Sequence, residues 1–403
     1  MLRKNIYSVL IVLLLGSCVA KQNMPTSLPP PKTPPAENTM KPRSHKPVLT
    51  ITPKLQSRFV RQCLPIADKD IALKDVSFGT ILLSNSIQPP QSFLMNIDTG
   101  AEYKLPVQSK NSLYGDGQVS PNRNMFAYME VVRNAQLEYI NYILWVVDAH
   151  ANVLAQISFE QEKYVGLPRW LDNERLLLYT AQTDKDGTVM VVNPFTGEQH
   201  LIANKLPMLF TGKEYAPGLD WLVEYSPSLE WVAYLGHSEE PGWGPLIVRD
   251  IVTKQNLWQS IGGNNGKPVW SSDGDEVAVI SGGQLYLVER SGQVKAIPDE
   301  NLLSQVEAPA WSPDGKHIAF WNNGSLMVYD HGADQVVDVC VKNTTPTHHA
   351  PLWSSDSRQI VVDYYGDQNV YFNALVDIQR NIVYKIPEIP NTIYPTVWMN
   401  SLP

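Results

Sequence analysis

Apolar and polar residues alternate in short runs over most of this chain, and the runs are cut by clusters of Gly, Pro, Asn, Asp and Ser. Such alternation predicts half-buried β-strands joined by tight turns. Ile318-Ala-Phe320, Val277-Ala-Val279 and Ile360-Val-Val362 read as short apolar strands. Gln284 to Glu289, Ser325 to Asp330 and Thr188 to Asn193 read as strands ending on an acidic or amide residue before a turn. Shorter strands follow them, such as Glu198 to Ala203 and Val294 to Ile297. Helical spacing is absent over any useful length, which excludes an α-solenoid.

The strands recur behind a ten-residue phrase written six times, most sharply as Trp311-Ser-Pro-Asp-Gly-Lys-His-Ile-Ala-Phe320. The other copies begin at Val119, Trp170, Tyr225, Trp270 and Trp353, and a seventh aromatic anchor stands at Trp398. Successive anchors are 51, 55, 45, 41, 42 and 45 residues apart. Pro precedes five of them by two or three residues, at Pro168, Pro268, Pro309, Pro351 and Pro395. Ser-Pro-Asp-Gly predicts a tight turn, because Asp bonds to nearby backbone and Gly accepts dihedrals that other residues resist. A fixed repeat means one small unit used many times. Four antiparallel strands in about 42 residues are the proportions of a β-propeller blade.

Residues 76–105 hold the later strands of a blade without its opening aromatic strand, and Trp398 sits in an opening strand without the rest. Joined, they complete one blade and remove an exposed sheet edge. The expectation is an all-β, seven-bladed propeller closed by pairing of residues 394–400 with the first blade, with six blades as the alternative count. Pro309-x-Trp311-Ser-Pro-Asp-Gly315-x-x-Ile318-Ala-Phe320, with Tyr286 and Tyr329 in the strands that follow, resembles the TolB-like propeller repeat, also called the PD40 or WD40-like repeat. The likeness spans roughly residues 70–403. It is loosest where Trp170-Leu-Asp-Asn lacks the turn sequence and where Tyr225-Ser-Pro-Ser-Leu lacks its Asp and Gly.

The beginning of the chain has another job. Arg3 and Lys4 precede an apolar run from Ile6 to Leu15, too short for a bilayer span, and Leu15-Gly-Ser-Cys18 closes it. This layout resembles a bacterial lipoprotein signal, which implies removal of residues 1–17, lipid attachment at Cys18 and, with Val19 behind it, an outer-membrane address in a Gram-negative cell. In any other cell the same signal implies the outer face of the cytoplasmic membrane. Residues 18–50 are rich in Pro and poor in apolar residues, so they read as a disordered tether. Residues 51–75 form a lead-in, and 76–403 the propeller. Loss of Arg3 and Lys4 takes the formal charge from −8 to −10. An acidic chain with scattered basic residues argues against nucleic acid as a partner.

Candidate chemistry is sparse. Cys63 and Cys340 are free to pair in an exported chain, or to remain two thiols, and no Cys-x-x-Cys supports redox catalysis. There is no Gly-x-Ser-x-Gly and no His-Glu-x-x-His. Asp273-Gly-Asp-Glu276 lacks calcium-loop spacing and reads as a turn. His348 and His349 are adjacent in an extended segment, so they point apart and read as a solvated pair. Asp148, Asp172, Asp220 and Asp363 are carboxylates that a propeller channel could bring together. His237, Glu239 and Trp243 lie in a long insertion and form a candidate contact loop. The reading is a monomeric, membrane-tethered, non-catalytic propeller that binds an envelope protein or cell-wall component, with no cofactor and no metal. The alternative is a propeller hydrolase or lyase acting on a carbohydrate or cell-wall polymer.

Overall fold

A computed structural model of the protein describes residues 58–67, 79–85, 92–96, 99–108, 113–136, 139–159, 163–166, 168–182, 188–203, 223–235, 245–260, 266–297, 305–343, 349–365, 371–386 and 393–400. All of them belong to one unit, Ile51–Pro403; the other unit, Met1–Thr50, lies outside the described residues. Among the described residues the regular structure is β-strand, arranged in seven sheets of mainly antiparallel strands that follow chain order, except for Ile393–Met399 in the first and the parallel Arg58–Arg61 in the sixth.

The first sheet is Thr80–Asn85, Ser92–Asn96 and Glu102–Lys104, with Ile393–Met399 against Thr80–Asn85. The second is Leu113–Val119, Phe126–Arg133, Tyr139–Val147 and Val153–Phe159. The third is Arg169–Trp170, Leu176–Gln182, Thr188–Val192 and Gln199–Ala203, with Lys163–Val165 also on Leu176–Gln182. Val223–Tyr225, Trp231–Leu235, Leu246–Asp250 and Asn256–Gln259 make the fourth. Val269–Trp270, Glu276–Ser281, Gln284–Glu289 and Val294–Ile297 make the fifth. The sixth is Val306–Trp311, His317–Asn322, Ser325–Asp330 and Gln335–Lys342, and the seventh is Leu352–Trp353, Gln359–Tyr365, Tyr371–Asp377 and Ile382–Ile386.

The repeated phrase builds the same turn in five of its six copies; in the Trp170 copy the turn is one residue shorter, with the Leu171 amide on the Arg175 carbonyl and no left-handed residue at the fifth position. Ser312 Oγ donates to Asp314 Oδ1 at 2.6 Å, and the Lys316 and His317 amides donate back to the Asp314 carboxylate and the Ser312 hydroxyl. Gly315 closes the turn at φ +69°, a conformation that costs a residue without Cβ nothing. The divergent copy at Tyr225 keeps the geometry. Ser226 and Ser228 bond to each other, and Leu229 takes the glycine position at φ +61°.

Apolar side chains fill the spaces between consecutive sheets. Phe126 and Tyr128 of the second sheet pack with Val397 and Met399, and Leu176 and Leu178 of the third pack with Met129 and Leu144. Trp231 and Val248 of the fourth lie in one cluster with Tyr179 and Val277 from its two neighbours. Ile280 meets Phe320 between the fifth and sixth sheets, and Trp321 meets Ile360 between the sixth and seventh. The opening strand of the seventh sheet also touches Ile393–Met399. Both faces of the second to sixth sheets are thus apolar along the inner strands, which explains their near-continuous hydrophobic runs.

The lead-in carries structure of its own. Arg58–Arg61 runs parallel to Gln335–Lys342 and adds a fifth strand to the sixth sheet. The chain then crosses to the seventh sheet, where the Val383 amide donates to the Pro65 carbonyl and the Ala67 amide to the Val383 carbonyl.

Candidate functional site

The opening strands of the sheets hold a charged cluster. Arg169 and Glu224 each stand one residue before an aromatic anchor, on the opening strands of the third and fourth sheets. Arg169 Nε donates to Glu224 Oε1 at 3.1 Å, and Lys267 Nζ, at the entry to the fifth sheet, lies 3.2 Å from the same oxygen. Glu224 is buried, so the carboxylate needs this pairing to offset its lost hydration. One carboxylate therefore ties three consecutive opening strands together.

Arg123 is the second unusual cation. It occupies the position that Gly315 takes in the sharpest copy of the phrase, and it keeps the left-handed backbone at φ +60°. Its Nη1 donates to the carbonyl oxygens of Trp353, at 2.7 Å, and of Trp398, at 3.0 Å. Burial pulls the guanidinium pKa down to about 10. Asn400 completes the contact by donating from its amide to the Arg123 carbonyl at 2.9 Å. A turn of the second sheet thus grips opening strands of the first and seventh.

An open groove of about 430 Å³ lies at the turn end of the fifth and sixth sheets, lined by Asp273, Asp275, Glu276, Glu289, Arg290 and His331 among others. Its walls are joined by His331 Nε2 and Glu276 Oε1 at 3.1 Å, and Arg290 reaches Glu230 of the fourth sheet in an ion pair. The Ser271 hydroxyl holds the Asp273 carboxyl below the usual range, against the opposing effect of its partial burial. Hydrogen bonding to the ionised form favours it.

The residues singled out in the sequence are scattered. Cys18, His237, Glu239, Trp243, His348 and Asp220 lie outside the described residues. Cys63 and Cys340 are bonded, with Cα atoms 4.7 Å apart. His349 is exposed, and its carbonyl accepts the Trp321 indole N–H at 2.9 Å. Asp148 accepts turn amides from His150 and Asn152, and Asp172 accepts those of Glu174 and Arg175. Both are turn residues. Asp363 is buried on the second strand of the seventh sheet. Among the described residues no group of three or more His, Cys, Asp and Glu side chains is placed to hold a metal ion.

Sequence reasoning passed over Arg123, Glu224 and the strap from Arg58 to Ala67. For the first two a signal existed: an Arg in the glycine slot of Val119-Ser-Pro-Asn-Arg123, and a charged residue directly before the anchors Trp170 and Tyr225. The strap had none, since its partner strand lies far along the chain.

No protein-family model matches the chain, and no curated protein is similar to it in sequence. Solved structures are similar. The oligogalacturonate lyase of Vibrio parahaemolyticus matches 80% of this chain over 90% of its own, with a TM-score of 0.51 and 14% identity. The fold is that of a β-propeller. At this identity the likeness extends to the fold alone. TolB from Acinetobacter baumannii is 15% identical over 77% of this chain and 79% of its own, with a TM-score of 0.43. The Listeria monocytogenes protein lmo1340 is 10% identical over 82% of this chain and 97% of its own, with a TM-score of 0.48. These two scores are too low to carry weight.

Proposed function

We propose that this protein is a membrane-tethered, non-catalytic propeller of seven blades that binds a protein or cell-wall component of the bacterial envelope. In this reading Ile393–Met399 is the opening strand of the first blade and closes the ring. The grip of Arg123 on Trp353 and Trp398 supports that closure, as does the pairing of Ile393–Met399 with Thr80–Asn85. Lipid on Cys18 and the Pro-rich tether hold the domain at a membrane, the outer one in a Gram-negative cell.

The observation that carries the proposal is the attachment of the lead-in. Arg58 to Ala67 lies along the outer strands of the sixth and seventh sheets and is bonded there through Cys63 and Cys340. The first described residues of the lead-in are thus fixed to outer strands and not at the turn-bearing groove. These charges serve the scaffold: Glu224 on an opening strand is engaged by Arg169 and Lys267, and Asp148 and Asp172 are engaged by their own turns.

The test is fractionation of cells carrying the wild-type chain or Cys18→Ala, followed by cross-linking of intact envelopes. The expected result is a membrane-bound wild type with one reproducible partner and a soluble Cys18→Ala protein. Release of sugar fragments from envelope polymers by the purified wild-type domain would favour the hydrolase or lyase reading instead.

A further inference from the structure

We propose that the Cys63–Cys340 bond is a redox latch: a dithiol reductant opens it, and the strap from Arg58 to Ala67 then leaves the rim of the propeller.

Apart from the disulfide, the strap is held mainly by its main chain: Arg58–Arg61 pairs in register with Gln335–Asp338, and the Val383 amide donates to the Pro65 carbonyl. Arg58, Gln62 and Leu64 donate main-chain hydrogen bonds to Asp334, Asp338 and Val339, and Ala67 donates to Val383. Leu64 is its one buried side chain among the described residues, packed with Val339, Val341 and Val383, while Phe59 is half-buried. Arg61 faces Asp338 at 3.5 Å from a largely exposed position. Ordering ten residues costs conformational entropy along the whole segment, and an exposed ion pair recovers little of it. The covalent bond supplies what these contacts lack, because it keeps the strap at a high effective concentration beside its edge.

The bond is also placed where a thiolate can reach it. Cys63 is exposed, whereas Leu64 beside it points into the core. Cys340 sits in an irregularity of the outer strand at φ +60°, which re-aims its side chain from the sheet toward the strap. Exposed disulfides are the labile ones. A reductant thiolate attacks Cys63 Sγ and forms a mixed disulfide, and Cys340 leaves as a thiolate that takes a proton. The second reductant thiol then attacks the mixed disulfide and releases Cys63 as a thiol. Two electrons pass to the protein, and the reductant becomes a disulfide. Departure of the strap uncovers the edge of Gln335–Lys342, with its main-chain donors and acceptors.

Hydrogen exchange on the oxidised full chain, with and without dithiothreitol under native conditions, tests this. The expected result is at least tenfold faster exchange at the amides of Gln62, Leu64 and Ala67 on reduction, with the Glu276–Ser281 strand unchanged. Three results would overturn it: a bond that resists dithiothreitol in the folded protein, a strap that stays protected after reduction, or protection lost throughout. Cys63→Ser should reproduce the reduced pattern without reductant. If that variant does not fold, reduction of the wild type remains decisive.

Discussion

The indole N–H of Trp311 donates to the carbonyl oxygen of Val269 at 3.0 Å, joining one blade to the one before it. Val269 is the residue directly before the anchor Trp270, and the arrangement recurs. Trp353 donates to Ala310 at 3.0 Å and Trp170 to Gln118 at 2.9 Å, in each case to the residue before the preceding anchor. The repeated aromatic is therefore an inter-blade tie as well as a packing group. Trp270 breaks the series: its Nε1 is buried without a hydrogen-bond partner, and its ring packs on Trp231 with centroids 4.6 Å apart.

That exception makes a paired prediction. Trp311→Phe removes a hydrogen bond and leaves the Val269 carbonyl without its indole donor, whereas Trp270→Phe removes a donor that had no acceptor. Beyond the shared loss of ring volume, the Trp311 variant should be the less stable by about 1–2 kcal/mol. Urea unfolding of both variants checks the difference, and equal losses would deny the tie.

Arg123 should behave as a clasp. Arg123→Met removes both bonds to Trp353 and Trp398, a loss of about 2–3 kcal/mol for a charged donor. Arg123→Gly loses the same bonds but relieves the left-handed backbone, so it should be about 1 kcal/mol more stable than the Met variant. Unfolding free energies in that order support the clasp; a Met variant as stable as wild type would not.

Glu224→Gln should cost about 3 kcal/mol, because it removes the buried carboxylate charge that pairs with Arg169 and Lys267. Replacing Arg169 and Lys267 with Met in the same variant should recover part of that loss. Thermal unfolding of the single and triple variants measures it. Failure of the triple variant to recover would show that charge pairing is not the cause.

The pH dependence has a definite sign. Asp273 is depressed in the folded state, chiefly by the Ser271 hydroxyl. For Asp314, burial acts upward but is outweighed by the bonds from Ser312 and Lys316. A depressed carboxylate contributes stability above its unfolded pKa of about 4, and that contribution is lost as pH falls through the lower folded value. The wild-type Tm should therefore fall below about pH 4, and Asp273→Asn should flatten part of the decline.

Much of this fold was legible in the sequence because its information is local and repeated. Ser312, Asp314 and Gly315 make their own turn within six residues, from Ser312 to His317, and the anchors recur at spacings that fix strand order. The tie from Trp311 to Val269 was not legible, since a Trp anchor signals burial and says nothing of where its N–H goes. Nor was the strap, because parallel addition of Arg58–Arg61 to Gln335–Lys342 joins segments far apart in the chain. Leu229 and Arg123 show why degraded phrases looked weak: the backbone tolerates left-handed residues where neighbouring bonds hold the turn. The candidate contact residues His237, Glu239 and Trp243 come from a stretch where the copies differ, and repetition carries no information there.

Site-specific photo-cross-linking in intact envelopes tests the central claim most directly. A photoreactive residue would be placed at Asp275 or His331 on the turn-bearing groove and, for comparison, at Val153 or Leu201 on exposed outer strands. The account predicts one partner captured from the turn-bearing positions and not from the outer strands, and no release of polymer fragments by the purified protein. Capture at the outer strands alone, or turnover of an envelope polymer, would contradict it.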